Sequence, residues 1–285
     1  MRFDVSDELR LFAESVRSAI GDWEPPREPE LGSWQDDRDD ALAERLAGTG
    51  WAELWAGGDL LGPAVAGGLE LGRAIAPACL IDEVTLGAPL AIEGRTRHGL
   101  RARSLALPLR GNGLALGAPS SEARPETSLD GSGTVLVDAA IGGELEPVAA
   151  AACWHAWSAT TLAYLAGLAG RALELAVAHA RTREQFGAPL AALPAVQSRL
   201  ADAALAADTL TLLAWSSTTD ERCLPAPELL WASEAACEVT ATVHQVHGAL
   251  GFALETGLHR YYRRARSMHS WTTAVCQACR RDPSF

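Results

Sequence analysis

The chain has 285 residues, 48% of them hydrophobic, and a formal net charge of −12 at pH 7. This length allows one large domain or two to three smaller ones, with enough apolar residues for a sizeable core. The acidic balance argues against a nucleic-acid partner, because a phosphate backbone favours a basic protein surface. All 24 basic residues are arginines, which excludes Schiff-base chemistry through a lysine.

No segment of the sequence predicts export or membrane insertion. The start, MRFDVSDELR, lacks the basic and then apolar order of a signal peptide, and no apolar run free of Gly, Pro and charge reaches the ~20 residues of a membrane span. We therefore expect a cytoplasmic protein whose six cysteines are reduced. Cys276 and Cys279 form one CxxC on a predicted helix. Without a second pair or a suitably spaced His, helical spacing explains it better than a metal or redox site.

The first hundred residues carry helical patterns. Residues 6–20 offer Ser6 as an N-cap, with acidic residues in the first turn. Four apolar residues of this segment share one helical face: Leu9, Phe12, Val16 and Ile20. Further helices are predicted over 39–48, 61–76 and 81–100. This region is interpreted as an N-terminal helical domain over 1–100.

A change of pattern at about residue 101 predicts a reduced β domain over 101–150. Short alternating runs such as RSLALPL, GLALGA and GTVLVDA are separated by turn-forming stretches, which fits five short strands at most. The pattern is then helical again, over about 154–182, 194–217, 226–249 and 256–281. Four long helices joined by short loops indicate an antiparallel four-helix bundle over 151–285. The predicted fold class is mainly α with a small β insert.

The stretch RTREQFGAPL, residues 181–190, is the first candidate ligand site. The predicted helix ends at Thr182, which leaves Arg183 and Phe186 at its C-terminal edge, and Gly187 turns the chain. A guanidinium at this place can hold a phosphate, and an aromatic ring can stack on a flat ligand. Alternatively, the Arg caps helix carbonyls and the Phe packs in the core.

Two later stretches carry further candidates. In HQVHGALGFALE, residues 244–255, Gln245 precedes Gly248 by one turn, and the small residues that follow let a ligand approach the backbone. His244 and His247 could suggest a metal, but no acidic or Cys partner is nearby, so surface or core histidines are the preferred interpretation. The basic aromatic helix LHRYYRRARSMHSW is interpreted as an interface or a solvated face.

Three segments carry a family resemblance: 167–204 (beginning GLAGRALELAVAHARTREQFG), 245–252 (QVHGALGF) and 258–266 (LHRYYRRAR). In this order, and with LELGRAIAP at 69–77, they resemble the acyl-CoA dehydrogenase family. The resemblance implies an N-terminal helical domain, a middle β domain and a C-terminal four-helix bundle. It also implies FAD and the α,β-desaturation of an acyl thioester, in which a carboxylate takes the α-proton while the flavin accepts hydride from the β-carbon.

The resemblance implies a role for five residues at an FAD that is bound largely by a neighbouring subunit. Arg183 would hold the pyrophosphate and Phe186 would pack beside the cofactor. Gln245 with Gly248 would reach the adenosine part, and Gln197 is a further expected cofactor-binding residue.

The sequence departs from the family at the catalytic base. The two alternative glutamate positions of the family correspond to Thr272 and about Trp157, and a neutral hydroxyl has far too high a pKa to act as the base at neutral pH. Pro194 and Ala249 replace a glutamine and a glycine that the family often has. The loops by which the family covers its flavin are not recognisable in the short β region. No catalytic residue is therefore assigned.

Three functions stay open. The first is a base-lacking subunit of a hetero-oligomeric acyl-CoA dehydrogenase of the steroid side-chain type, which shares FAD with a homologous partner subunit in a heterotetramer. The second is a repurposed enzyme for a CoA- or carrier-bound biosynthetic intermediate, including non-redox chemistry, with a pocket lined by Trp157, His269, Trp271 and Thr272. The third is a structural partner without a ligand, which the retained RxxFG and QxxG residues argue against.

Overall fold

The computed structural model describes residues 5–24, 40–57, 60–87, 105–109, 113–119, 126–127, 133–134, 139–144, 146–219 and 226–280. Its helices are α1 (Asp7–Ile20), α2 (Asp40–Ala47), α3 (Leu61–Arg73), α4 (Cys79–Asp82), α5 (Pro147–Thr182), α6 (Pro194–Ser216), α7 (Ala226–His247) and α8 (Leu258–Arg280). Its strands are β1 (Leu105–Leu109), β2 (Gly113–Pro119), β3 (Glu126–Thr127), β4 (Gly133–Thr134), β5 (Ala139–Glu144), β6 (Glu184–Gln185) and β7 (Ala188–Pro189). The chain is mainly helical with a small β insert, so the predicted fold class is confirmed.

One predicted helix was wrong in extent. Helix α5 begins at Pro147 rather than near residue 154, and proline fits there because the first helical position has no intrahelical N–H bond to lose. Of the helix predicted over 81–100, the described residues 81–87 are helical: α4 is followed by a π-helical turn, Glu83–Gly87. Residues 88–100 lie outside the described residues.

The β insert contains a three-stranded antiparallel sheet in the order β1-β2-β5, while β3 pairs separately with β4. Leu105 lies opposite Gly117 in the first pair and Ala115 lies opposite Glu144 in the second, with a register shift within the second pair. Of the predicted strand GTVLVDA, the first two residues are strand, and 135–138 lie outside the described residues. The predicted domain boundaries stay predictions.

Helix α1 begins at the predicted N-cap and docks on α3. The Ser6 hydroxyl accepts a hydrogen bond from the Leu9 N–H at 3.3 Å. Near the end of the helix, Arg17 Nε and Nη2 donate to the Glu70 carboxylate at 2.8 and 2.7 Å. The hydrogen bond and the charge of Glu70 raise the pKa of Arg17. The guanidinium therefore stays charged, and a bidentate ion pair joins α1 to α3.

Helices α3 and α5 meet backbone to backbone. A Cβ at Gly72 would lie 1.9 Å from the Tyr164 carbonyl oxygen, and a Cβ at Gly167 would lie 2.0 Å from the Leu69 carbonyl oxygen. Only glycine fits at these separations, because it carries no side chain. We call this junction, formed by Leu69, Gly72, Tyr164 and Gly167, the α3–α5 contact.

A strained residue follows α3. Ile75 has φ 55°, in the left-handed region that a β-branched residue rarely adopts. The Ala76 N–H donates to the Leu71 carbonyl at 2.9 Å, as in a Schellman helix end. The Ala76 carbonyl accepts from the Tyr164 hydroxyl at 2.7 Å and from Arg264 Nη1 at 2.9 Å. These bonds tie the end of α3 to both α5 and α8.

Helix α5 is the central helix of the fold. By length and composition alone it is long and apolar enough to cross a membrane. In this fold it packs against α3, α6 and α7, and 61% of its most apolar window is buried inside the protein. A core helix that is covered on most sides accounts for this apolar character.

Helices α5 to α8 form the predicted four-helix bundle. Helices α5 and α7 run in the same direction, because His179 and His247 in their last turns stack with ring centroids 4.2 Å apart. Helix α8 runs in the opposite direction to α7, because His269 in the second half of α8 lies 2.9 Å from Ser233 Oγ in the first half of α7. Helix α8 is therefore antiparallel to α5 as well.

Candidate functional site

The connection between α5 and α6 contains a β-hairpin with a two-residue loop. This hairpin was not predicted from the sequence. Arg183 ends α5: its N–H donates to the His179 carbonyl at 2.9 Å, and its own carbonyl accepts from the Leu190 N–H at 2.8 Å. Strands β6 and β7 pair on either side of Phe186 and Gly187, whose φ angles are 54° and 79°. Positive φ at both central residues is the pattern of a type I′ turn.

Phe186 is the unusual residue of this hairpin. The first position of a type I′ turn favours Asn, Asp or Gly, and a non-glycine residue in the left-handed region costs on the order of 1–3 kcal/mol. The Phe186 side chain is 92% exposed, so the alternative that it packs in the core is wrong. The chain therefore keeps a strained aromatic residue on its surface.

Gln197, Gln245 and Gly248 lie at the same end of the bundle. Gln197 Nε2 donates to the Ala191 carbonyl at 2.8 Å, just after the hairpin. Arg199 donates to the side-chain oxygen of Gln245, which joins the start of α6 to the end of α7. Gly248, with φ 61°, begins the 3₁₀ turn that follows α7. We call this exposed surface the bundle end; it comprises Arg183, Phe186, Gln197, Gln245 and Gly248.

Two polar residues of this region, Arg199 and His179, were not predicted from the sequence. No local pattern pairs Arg199 with Gln245, since the two lie 46 residues apart in the chain. His179 could have been found, because it lies one helical turn before Arg183 on α5. Three exposed apolar side chains continue the surface beyond α7: Leu250 (49%), Phe252 (78%) and Leu254 (65%). Exposed apolar groups that occur together mark an interaction surface.

The histidines near the bundle end make the stability of the fold depend on pH. Burial lowers the pKa of His179, the neighbouring His247 and Arg183 lower it further, and burial also lowers the pKa of His244. Below about pH 6.5 the unfolded chain binds protons at these residues more readily than the folded chain, so their stabilising effect is complete above that pH and is lost below it. We expect Tm to fall between about pH 7.5 and about pH 5.5, where most carboxylates are still ionised.

Thermal unfolding at constant ionic strength measures this effect. The matched variant His179→Phe keeps an aromatic ring against His247 but cannot titrate, so its Tm should vary less over the same pH range. An equal pH dependence in the variant and the unmodified chain would contradict the assignment to His179.

The two family glutamate positions are occupied by buried residues. Thr272 is 0% exposed, and its hydroxyl makes no hydrogen bond within the described part of the chain. Trp157 is 2% exposed and donates from Nε1 to Asp82 Oδ1 at 2.9 Å. Asp82 is itself 1% exposed. It is a buried carboxylate that the sequence analysis did not single out, because nothing local indicated that α4 would pack against the start of α5.

The four residues predicted to line an alternative pocket do not all face the same way. The His269 ring lies against Ser233 of α7, whereas Arg264 of the same helix bonds to Tyr164 of α5 at 3.1 Å. Trp271 is partly buried against the main core. His269 therefore faces α7, whereas Arg264 lies on the side of α8 that meets α5.

The cysteines and histidines of the described residues form no metal site, since no group of three or more His, Cys, Asp or Glu side chains comes together there. Cys276 is buried and forms no disulfide among the described residues, and the side chain of Cys279 lies outside them. Burial raises the pKa of Cys153 and of Cys237 to about 11. These two thiols are therefore protonated and unreactive at neutral pH.

Comparison with known proteins identifies the helical bundle. Residues 156–272 match the family described as acyl-CoA dehydrogenase, C-terminal domain. The mitochondrial short-chain specific acyl-CoA dehydrogenase of Bos taurus is 39% identical over 109 residues, which are 35% of this chain and 26% of that protein. The chain therefore matches well under two thirds of the length of this relative.

Solved structures are similar over nearly the whole chain. The ChsE4-ChsE5 complex from Mycobacterium tuberculosis contains a chain with a TM-score of 0.75 and 20% identity, and the match covers 98% of this chain and 96% of that chain. A variant of the Tcur3481-Tcur3483 steroid ACAD has a TM-score of 0.71 and 19% identity, over 95% of this chain and 97% of that chain. The chain has the acyl-CoA dehydrogenase fold, and most of its bundle matches the C-terminal domain of that family.

Proposed function

We propose that the chain is a subunit of an FAD-dependent acyl-CoA dehydrogenase that desaturates an acyl thioester between the α- and β-carbons. The chain has no base at the family positions and contributes the bundle end to FAD held largely by a homologous partner subunit, in a cytoplasmic heterotetramer. Both similar solved structures are named as pairs, ChsE4 with ChsE5 and Tcur3481 with Tcur3483. These names support a partner subunit and, for the second, a role in steroid or lipid catabolism.

The exposed and strained Phe186 carries this proposal. A ring that is 92% exposed at φ 54° lowers the stability of the chain itself. A flat ligand or an apolar partner surface that covers the ring explains why it is kept. Arg183 lies three residues before it and supplies a charged donor for a phosphate, and Gln197 adds an exposed amide beside the hairpin. These residues fit a group with a phosphate and a flat ring system, as FAD has.

FAD, when bound, supplies the hydride acceptor for the desaturation. The residues of this chain hold and orient it: Arg183 binds the pyrophosphate and Phe186 packs on the cofactor. Because the side-chain oxygen of Gln245 accepts from Arg199, the amide nitrogen is left to donate to the adenosine part. Gly248, without a side chain, leaves the backbone open to the same part of the cofactor.

The residues at the family base positions support dependence on a partner. Neither the Thr272 hydroxyl nor the Trp157 indole can take the α-proton at neutral pH. In this proposal the partner subunit supplies the catalytic carboxylate. The chain is then active in desaturation only as part of the hetero-oligomer.

A visible absorption spectrum tests the proposal. The chain is purified alone and also after co-expression with a longer acyl-CoA dehydrogenase-like chain that carries Glu at the position equivalent to Thr272. We expect flavin absorption only in the co-purified sample. Flavin on the isolated chain, or a co-purified complex without flavin, would overturn the proposal.

Asp82 favours a second candidate function. This buried carboxylate beside Trp157 gives the chain an acidic group of its own. The alternative is therefore a repurposed enzyme that acts on a CoA- or carrier-bound intermediate in a biosynthetic pathway, including a non-redox reaction. Turnover by the isolated chain distinguishes this candidate from a base-lacking subunit. A complex that binds neither flavin nor thioester would instead indicate a structural partner.

A further inference from the structure

Two stacked histidines border the bundle end, in the last turns of α5 and α7. The rings of His179 and His247 have centroids 4.2 Å apart and planes inclined by 24°, and both side chains are partly exposed. His179 lies one turn before Arg183, whose N–H donates to the His179 carbonyl at 2.9 Å. His247 immediately precedes Gly248. The pair therefore lies between residues of the bundle end that come from two helices.

The hydrogen bond made by His247 decides what its other ring nitrogen can bind. Nδ1 lies 2.8 Å from the Val243 carbonyl, and a carbonyl only accepts, so the proton of the neutral ring is assigned to Nδ1. Nε2 of the neutral ring is then an acceptor, as phosphate oxygens are. Protonation makes Nε2 a donor, while Nδ1 keeps its bond to Val243. His247 can therefore bind a phosphate only after it takes up a proton.

His179 is the neutral member of the pair. Burial lowers its pKa, and the positive charges of His247 and Arg183 lower it further. A second proton would place like charges on two rings whose centroids are 4.2 Å apart, and such charges repel each other strongly. The neutral His179 ring instead packs nearly flat against His247. The pair therefore accepts one proton, and His247 is the residue that takes it up.

The charged groups around the pair favour an anion. Arg183 ends α5, and Arg199 of α6 donates to the α7 side chain two residues before His247. Both guanidinium groups stay charged at neutral pH. The acidic side chains of the adjoining turns, Glu184 and Glu255, are exposed, so solvent and salt screen them. A phosphate at the bundle end thus meets a cationic surface, and protonation of His247 adds one more positive charge.

His244 is less suited than His247 to take up the proton. It lies one turn earlier on α7, and its ring packs against those of Phe252 and Tyr262, with centroids 5.7 and 5.6 Å apart. Burial lowers its pKa, and the charges of His247 and of His259 on α8 also lower it. His244 therefore serves as a neighbouring histidine against which the behaviour of His247 can be compared.

We propose that His247 is a proton-linked phosphate donor: when a phosphate group binds beside Arg183, Nε2 of His247 takes up one proton from the solvent. The new N–H donates to a phosphate oxygen, and the negative charge of the phosphate favours the protonated ring. That this phosphate belongs to the FAD pyrophosphate rests on the proposed function, whereas the coupling to a proton follows from the bond between His247 and Val243. The affinity for the cofactor is then regulated by pH and increases as the pH falls from about 8 to about 6.

Calorimetric titration with ADP-ribose tests this inference on the full chain alone and on the co-purified complex after removal of its flavin. ADP-ribose carries adenosine and a pyrophosphate but no flavin ring, and its esterified phosphates keep a constant charge over this pH range. Titrations in two buffers of different ionisation enthalpy give the number of protons taken up. We expect uptake of about half a proton or more at about pH 7. The affinity should be about tenfold higher at about pH 6 than at about pH 8, as expected when an opposite charge lies close to the titrating ring.

His247→Asn is the variant that tests the assignment to this residue. The Asn amide nitrogen can still donate to the Val243 carbonyl, but the side chain does not titrate. Proton uptake should therefore disappear, and the affinity should stay near the value that the unmodified protein has at about pH 8. His244→Phe is the matched control: it keeps a ring against Phe252 and Tyr262 and should take up protons as the unmodified protein does.

Binding of ADP-ribose without proton uptake, or an uptake that persists in His247→Asn, would overturn the inference. Binding of ADP-ribose in neither sample would overturn it too. A complex that carries flavin but binds ADP-ribose without proton uptake would contradict this inference and not the proposed function. Proton-linked binding by the chain alone, with no flavin in the co-purified complex, would contradict only the proposed function.

Discussion

Phe186→Asn is expected to make the chain more stable and its complex poorer in flavin. Asn tolerates positive φ, and Asn-Gly is the preferred pair for a two-residue hairpin, whereas Phe186 is held there at φ 54°. Relief of the backbone strain should add about 1 kcal/mol to the free energy of unfolding. Loss of the ring removes its stacking contact, so the affinity of the complex for flavin should fall about tenfold.

Denaturant unfolding of the chain and flavin absorption of the co-purified complex measure the two effects. The control Leu11→Gln removes another exposed apolar side chain, 66% exposed on α1, and should leave the flavin content unchanged. A purely structural role for Phe186 would move stability and flavin content in the same direction. A full complement of flavin in Phe186→Asn would show that the ring does not contact the cofactor.

Gly167→Ala is expected to lower the free energy of unfolding by about 3 kcal/mol or more. A Cβ at this position would lie 2.0 Å from the Leu69 carbonyl oxygen and 2.8 Å from its carbonyl carbon. Both obstacles belong to the backbone of α3, so no side-chain rotation can make room. The two helices would have to move apart, and the core between them would lose packing contacts.

Chemical denaturation of Gly167→Ala and of Gly170→Ala measures this effect. Gly170 lies one turn further along α5, and a Cβ there would meet nothing within 4 Å. Gly170→Ala should therefore stabilise the chain by about 0.5–1 kcal/mol, because alanine is the better helix former. Equal effects at the two positions would mean that helix propensity alone accounts for both, and that the α3–α5 contact is not close.

The helices were predictable because their signals are local. Ser6 caps α1 as its hydroxyl and the acidic residues after it indicated, and Pro194 opens α6 at the predicted residue. The hairpin after α5 was not predictable, since local preference places Asn or Gly where this chain has Phe186. The backbone there adopts a conformation that the residue itself disfavours, and no rule based on propensity could have proposed it.

The bundle end and the buried carboxylate Asp82 also differ in how far they could be predicted from the sequence. The bundle end follows from short motifs at the ends of helices, so its residues could be named before their positions were known. Asp82 could not be found like this, because it lies 75 residues from Trp157 in the chain and meets it only through the packing of α4 on α5. Buried polar groups that lack partners, such as Thr161 and Thr272, become recognisable only when every neighbour is in place.

The α3–α5 contact joins the segment that matches the family model to a part of the chain that precedes it. The family model matches residues 156–272, but Tyr164 in that segment bonds to Ala76, 88 residues earlier in the chain. A long loop must close before this bond can form, which makes the junction a late and non-local step in folding. Without α3, the backbone of α5 at Gly167 would face water instead of another helix. We therefore expect the cooperative folding unit of this protein to extend beyond residues 156–272 and to include α3.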